Sequence, residues 1–337
     1  MKKVLVTGHK GYIGVHLVQL LKEAGHFVIG NDINLFDGCE WENFVKPDIE
    51  LIKDVRDLSV KDMEGIDCVM HLAAISNDPM GDLNADITYS INREGSIRLA
   101  ERAKQAEVSR FLFSSSCSIY GKSEKPDMEE TDPTVPLTAY AISKIESEKA
   151  ISAMANEYFS PVFLRNATAY GHSPMLRIDL VVNNLLACAI ARGDIRIMSD
   201  GTPWRPLIHC KDIARAFVAF LEAPKEKVHN LIVNIGGNKE NYQVKDVGDF
   251  VKRLIPAANI VYTGEVGKDS RDYRVKFDLL NKTLPDFKLE YTLLSGLEEL
   301  YRKYVDHKFS LNDFEGDQFV RLRTLKHRLH LIEKQLA

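Results

Sequence analysis

Eight residues near the start of the chain, Thr7-Gly8-His9-Lys10-Gly11-Tyr12-Ile13-Gly14, constrain the fold more than any other stretch. An apolar run from Val4 to Val6 enters this glycine turn, and apolar residues at 13, 17, 20, 21 and 24 leave it with helical spacing. Strand, glycine turn and helix in that order form an anion cradle: the glycines let the backbone approach phosphate, and the helix start adds about half a positive charge. Gly25 closes the helix, Phe27 to Gly30 reads as a second strand, and further strands are expected at 68–72, 111–115 and 161–165, with helical stretches such as 92–106 between them. The alternation predicts an α/β chain with a Rossmann-type doubly wound parallel sheet.

Beyond about residue 170 the alternation weakens, and 177–199 and 242–305 mix helices with polar loops. The division expected is a dinucleotide-binding domain over 1–170, a smaller α/β substrate lobe over 171–312 interleaved with it, and a basic C-terminal tail over 313–337. The tail carries Arg321, Arg323, Lys326, His327, Arg328, His330 and Lys334, and reads as a solvated helix lying on its own or a neighbouring subunit. A net charge of −4 points to neither a nucleic-acid nor a membrane-surface partner. The five cysteines are scattered without a CxxC pair, as reduced thiols of a cytoplasmic protein would be, and no metal site is expected. No apolar run reaches the roughly 18 residues of a membrane span, and Met1-Lys2-Lys3 leads straight into a strand, so no signal peptide is expected.

The glycine spacing is GxxGxxG, and Asp32 stands 18 residues beyond Gly14 at the end of the second strand. A carboxylate there accepts hydrogen bonds from an adenosine ribose and repels a 2′-phosphate, which favours NAD; Lys10 by itself leaves NADP open.

Tyr140 and Lys144 are four residues apart on one helix face, so that an ammonium stands beside a phenol and favours its ionisation toward use as a base. The same spacing recurs at Tyr304 and Lys308. Position separates them: Tyr140 follows a strand ending in Ser114-Ser115-Ser116, whose hydroxyls emerge at the carboxyl edge of the sheet, where ligands bind in such folds.

These residues resemble the extended short-chain dehydrogenase/reductases, in the NAD-dependent epimerase/dehydratase branch that works on nucleotide sugars, over roughly residues 1–305. Asp54-Val55 resembles the pair that contacts adenine, His71-Leu72-Ala73-Ala74 the strand beside the cofactor, and Asn92 the asparagine that steadies the central helix. Phe113 through Gly121, followed by Tyr140 and Lys144, is similar to the corresponding stretch of the UDP-galactose 4-epimerases. The resemblance implies catalysis by Ser116, Tyr140 and Lys144. It implies cofactor contacts from Gly8, Gly11, Tyr12, Ile13, Gly14, Asp32, Asp54, Val55, Leu72, Ala73, Ala74, Asn92, Ser114, Tyr140 and Lys144. Substrate contacts would come from Ser116, Asn166, Thr168, Asn183, Asn184 and Arg205, with Arg271 or Arg274 as a second phosphate arginine. A homodimer through two central helices is also implied.

Two departures bear on the reaction. Cys117 and Ser118 stand where sugar 4,6-dehydratases carry Asp and Glu, which argues against 4,6-dehydration; Thr168 stands where many relatives have Asn. A cysteine acid/base is found in this strand of related 3,5-epimerases, at the place of Ser118, so Cys117 is expected to be a small buried apolar residue. The function implied is epimerisation of a nucleotide-diphosphate sugar through a transient keto sugar. A dehydrogenase or ketoreductase that releases or consumes the keto sugar stands as the alternative; a non-catalytic dinucleotide sensor and an alcohol dehydrogenase for an unphosphorylated substrate are remoter. The base and the sugar depend on the second lobe and on loops such as Ser76 to Asn84, and are not readable.

Overall fold

The computed structural model describes residues 1–76, 84–123, 125–264 and 271–336. Seven parallel strands form the central sheet in the order β10-β6-β5-β4-β1-β2-β3: β1 (Lys3–Thr7), β2 (Phe27–Asp32), β3 (Ile49–Ile52), β4 (Cys68–His71), β5 (Arg110–Ser116), β6 (Ser160–Asn166) and β10 (Leu231–Ile235). Val4, Leu5, Val6, Val69 and Leu112 are fully enclosed, because helices cover both faces; that is why the central strands read as unbroken apolar runs. From β1 the chain winds outward through β2 and β3, then from β4 through β5 and β6 in the other direction. The switch lies between β1 and β4, where Thr7 is in register with His71, and the carboxyl ends of the strands at such a switch are where sheets of this kind bind ligands.

Three helices carry the site. α1 (Gly14–Glu23) starts directly from the glycine turn. α2 (Gly95–Gln105) continues a π-helical stretch, Tyr89–Glu94, and a short helix, Ala85–Thr88. α3 (Ala139–Ser152) lies against β5 and β6.

The five strands expected from sequence are all present, while both edges of the sheet went unpredicted. β3 is a four-residue edge strand with Ile49 and Ile52 exposed, and its residues show no period. β10 comes from far along the chain. After β6 the chain builds the lobe from β7 (Thr168–Tyr170), α4 (Val181–Arg192), β8 (Asp194–Ile197) and β9 (Trp204–His209), then returns through α5 (Cys210–Glu222), which packs on α1, to add β10 beside β6. It leaves again for β11 (Asn241–Gln243), α6 (Val244–Leu254), β12 (Asn259–Tyr262) and α7 (Leu293–Asp306). The expected division at residue 170 is thus crossed twice more, and Trp41 of the first half stacks on Tyr304 of the lobe at 5.3 Å.

The tail differs from a solvated helix in its first half. Phe314 and Phe319 are buried in the lobe core, and α8 (Arg321–Leu336) lies on residues 35–40 of the same chain, Arg328 Nη1 donating to the Leu35 carbonyl at 2.6 Å. Among the described residues no helix is long and apolar enough to cross a membrane.

Candidate active site

The glycine turn has the geometry of a cradle. Gly8 has φ +73°, and a Cβ there would stand 2.8 Å from the Ala73 nitrogen; at Gly14 it would lie 2.2 Å from the Gly8 carbonyl oxygen. Both positions therefore exclude a side chain, and the first turn of α1 is left bare to a ligand's phosphates. Asp32 accepts from the Asn34 and Lys10 amides at 3.1 and 3.3 Å. The Lys10 ammonium is paired with Glu50 at 2.7 Å and Asp37 at 3.2 Å, so it brings no net positive charge to the ribose end, and the case for NAD over NADP gains two more carboxylates.

Behind the turn, β4 and the α2 region are joined by a directional chain of protons. The Ala73 amide donates to Thr7 Oγ1 (3.3 Å), Thr7 meets His71 Nδ1 (2.7 Å), His71 Nε2 meets Ser96 Oγ (2.8 Å), and Ser96 donates to the Asn92 carbonyl. That last acceptor takes the only proton Ser96 has, so His71 must donate from Nε2 and accept at Nδ1. Burial pushes the His71 imidazole down to about 3, keeping it neutral. The buried Asn92 amide brackets Ile75 through both the amide and the carbonyl of that residue, at 2.8 and 3.0 Å. Leu72, Ala73 and Ala74 are in this way held along the cradle. Val55 is buried, and Asp54 is engaged by Arg56 through two bonds, 3.0 and 2.8 Å, and caps the turn at Val55–Asp57.

Thr138 caps α3 by accepting from the Ala141 amide, which places Tyr140 in the first turn at the sheet's carboxyl edge and Lys144 one turn deeper. Lys144 Nζ donates to the Ser114 carbonyl at 2.6 Å and lies 5.7 Å from the Tyr140 ring centroid. Burial pulls this ammonium down to about 7, opposed by Glu148. One further turn along, Glu148 takes Arg165 through a bidentate pair, 3.1 and 2.8 Å, and a hydrogen bond from Ser115. The Tyr-Lys helix is so bolted to β5 and β6. Ser114 and Ser116 share the opposite face of β5 from Ser115; Ser116 Oγ accepts from the Ser118 amide at 3.1 Å, and Ser114 Oγ accepts from Asn166 at 3.0 Å.

Cys117 is fully buried and donates to the Arg165 carbonyl at 3.1 Å, and burial pushes its thiol well above the ordinary range. It is a buried apolar side chain, as expected. A Cys117→Ala variant keeps near-normal turnover; a large loss in steady-state rate with an intact fold would contradict this. In the second Tyr-Lys pair the tyrosine is core, Tyr304 being enclosed and stacked on Trp41, while Lys308 is exposed.

In the lobe the structure separates positioning residues from groups facing the crevice. Asn183, expected to touch substrate, is enclosed. Its amide is spent on Tyr12 Oη, the Arg177 carbonyl and both backbone groups of Gly171, so the side chain fastens the lobe to the glycine turn instead. Asn184 is half-buried and donates to the Ile178 carbonyl at 2.9 Å. Thr168 is half-buried on β7. Arg205 and Arg271 come together, Arg205 Nη1 donating to the Arg271 carbonyl. Arg274 is instead paired with Asp127 at 3.0 Å and lies over the Trp204 ring. Most of the loop from Ser76 to Asn84, and Asp269 and Ser270, lie outside the described residues.

Two participants, Glu148 and Arg177, went unread, and His71 was read only as part of the strand beside the cofactor. Glu148 sits four residues beyond Lys144, a spacing that could have flagged it. His71 is legible only through its strand. Arg177, buried and paired with Asp179 at 2.8 Å, also donates to Ser76 Oγ at 3.0 Å across the crevice, and no local pattern marks it.

Residues 4–236 match the model of the NAD dependent epimerase/dehydratase family. The chain belongs to that family. It is similar to an uncharacterised UDP-glucose epimerase of Bacillus subtilis, 30% identical over 248 residues that make up 70% of this chain and 77% of the relative. Among solved structures it is similar to MoeE5 in complex with UDP-glucose and NAD, with a TM-score of 0.78, 27% identity, and coverage of 90% of this chain and 99% of that one. It is equally close in shape to a UDP-glucose 4-epimerase of Thermotoga maritima bound to UDP-glucose, with TM-score 0.78, 25% identity and the same coverage.

Proposed function

We propose that the protein is an NAD-dependent epimerase of a UDP-hexose, inverting C4 through a transient 4-keto sugar. The observation that carries the reading is the placement of Tyr140 above a buried Lys144, with Ser114 and Ser116 on one strand face at the same sheet edge as the glycine cradle. The fold and family relatives named above support it, and so does the pair Cys117 and Ser118, which supplies no carboxylate for eliminating water.

Gly8, Gly11, Tyr12, Ile13 and Gly14 would hold the dinucleotide's phosphates on the first turn of α1, Asp32 its ribose, and Leu72 to Ala74 its flank. Bound NAD supplies a hydride acceptor that returns the hydride within the same turnover. The protein's own part is proton handling and positioning. Tyr140, as phenolate beside Lys144, takes the proton of the sugar hydroxyl. Ser116 hydrogen-bonds that oxygen as it becomes a carbonyl. Arg205 and Arg271 anchor the substrate's diphosphate through planar donor forks while the hexose turns its other face. Asn166 and Thr168 line the sugar side.

The reading includes a cytoplasmic homodimer joined through α2 and α3, the two-fold contact being the commonest arrangement. Incubation with UDP-, GDP-, CDP- and dTDP-sugars, followed by product separation and NADH absorbance, tests the function. A new UDP-hexose with no net NADH is expected. Stoichiometric NADH with a released keto sugar would make the protein a dehydrogenase.

A further inference from the structure

Two guanidinium groups are enclosed between the glycine turn and the lobe, and among the described residues one carboxylate, Asp179, faces them. Arg177 is held by Asp179 through bonds of 3.0 and 2.8 Å. The other is Arg321, on the first turn of α8 and only 4% exposed. Its Nη2 donates to the Met175 carbonyl at 3.3 Å and its plane lies 4.5 Å over the Phe36 ring centroid, yet its Nη1 is buried without a hydrogen-bond partner. Burial, and after it the charge of Arg177, pull Arg321 down to about 10 against the opposing pull of Cys39 and Asp179. A buried cation lacking a full set of acceptors is costly unless a ligand completes it.

The surroundings say which ligand. Phe36 and Cys39 belong to the loop that follows Asp32, and Cys39 and Met175 form a small cluster with Val15 in the first turn of α1. The loop after Asp32 and the first turn of α1 are the segments assigned above to the ribose and the phosphates. Two further residues of α8 hold the same loop: Arg328 donates to the Leu35 and Asp37 carbonyls, and Thr324 Oγ1 lies 3.9 Å from Cys39 Sγ. We propose that Arg321 is a diphosphate-binding residue of the NAD site, brought there by a C-terminal helix that straps the cofactor in place. The assignment rests on the NAD reading above. Retention suits an enzyme that regenerates its cofactor within each turnover, and it gives the basic tail a task that its composition alone does not reveal.

The test uses full-length protein freed of nucleotide, wild type and Arg321→Gln, with melting temperature and affinity measured separately for NAD and for UDP. Losing charge-assisted hydrogen bonds to a diphosphate weakens NAD binding by about 10- to 100-fold, while UDP binding is unchanged. The nucleotide-free variant melts no lower than wild type, because a buried cation has been removed. Lower melting with an intact NAD response would make Arg321 a structural residue and overturn the proposal. Weakened UDP binding with intact NAD binding would overturn it in favour of the substrate's diphosphate. A wild type indifferent to NAD would refute the cofactor reading itself, and this one with it. Should the glutamine variant fail to fold, Arg321→Lys, which keeps the charge without the fork, is expected to lose NAD affinity to a smaller degree; no loss would count against the assignment.

Discussion

Replacing Tyr140 by Phe is expected to lower turnover by about 10²- to 10⁴-fold, or about 3–5 kcal/mol of transition-state stabilisation, the usual worth of a positioned general base. The ring, its contact with the Lys144 ammonium and the capped first turn of α3 all survive the change. Cofactor content and melting temperature therefore stay near wild type, and the loss falls on the chemical step. Single-turnover reduction of bound NAD by saturating UDP-hexose isolates that step from binding. A Phe variant within tenfold of wild type would remove Tyr140 from the role of base.

The second large effect concerns Glu148. Arg165 is 5% exposed and Glu148 2%, so truncating the acid leaves a guanidinium enclosed with, among the described residues, only the Tyr120 hydroxyl and the Glu130 carbonyl, at 3.1 and 3.0 Å, to receive it. Breaking one side of such a pair costs about 3–5 kcal/mol. Glu148→Ala is expected to lose stability on that scale, seen as a lower urea midpoint with an unchanged slope. Because Glu148 supports the charge of Lys144 and ties α3 to β5 and β6, residual activity should also fall in the protein that remains folded. A loss below about 1 kcal/mol would mean that the network is not what fastens the catalytic helix.

The reading of the sequence reached furthest where chemistry is local. The glycine turn, the apolar runs of β1, β4, β5 and β6, and the Tyr140-Lys144 spacing each occupy one short segment and have a geometric reason to look as they do. What escaped is non-local. β10 lies next to β6 only because the chain detours through α5, and nothing in Leu231–Ile235 itself says which sheet it joins. Asn183 was read as a substrate contact because its segment resembles one, yet enclosure and four internal partners turn it into a fastening between lobe and cradle. Arg274 is held by Asp127, far from it in sequence, and the contacts of Arg177 and Arg321 likewise join residues far apart in the chain. The tail, expected as a solvated helix packing on its own or a neighbouring subunit, packs on its own chain, with Phe314, Phe319, Arg321 and Thr324 buried.

The central claim is that hydride leaves a sugar carbon and returns to that same carbon. Turnover of UDP-glucose bearing deuterium at C4 tests it most directly. Deuterium is expected to remain at C4 of both the starting sugar and its epimer, with none in solvent and no accumulated reduced cofactor. Deuterium lost to water, or recovered in stoichiometric reduced cofactor beside a free keto sugar, would contradict it.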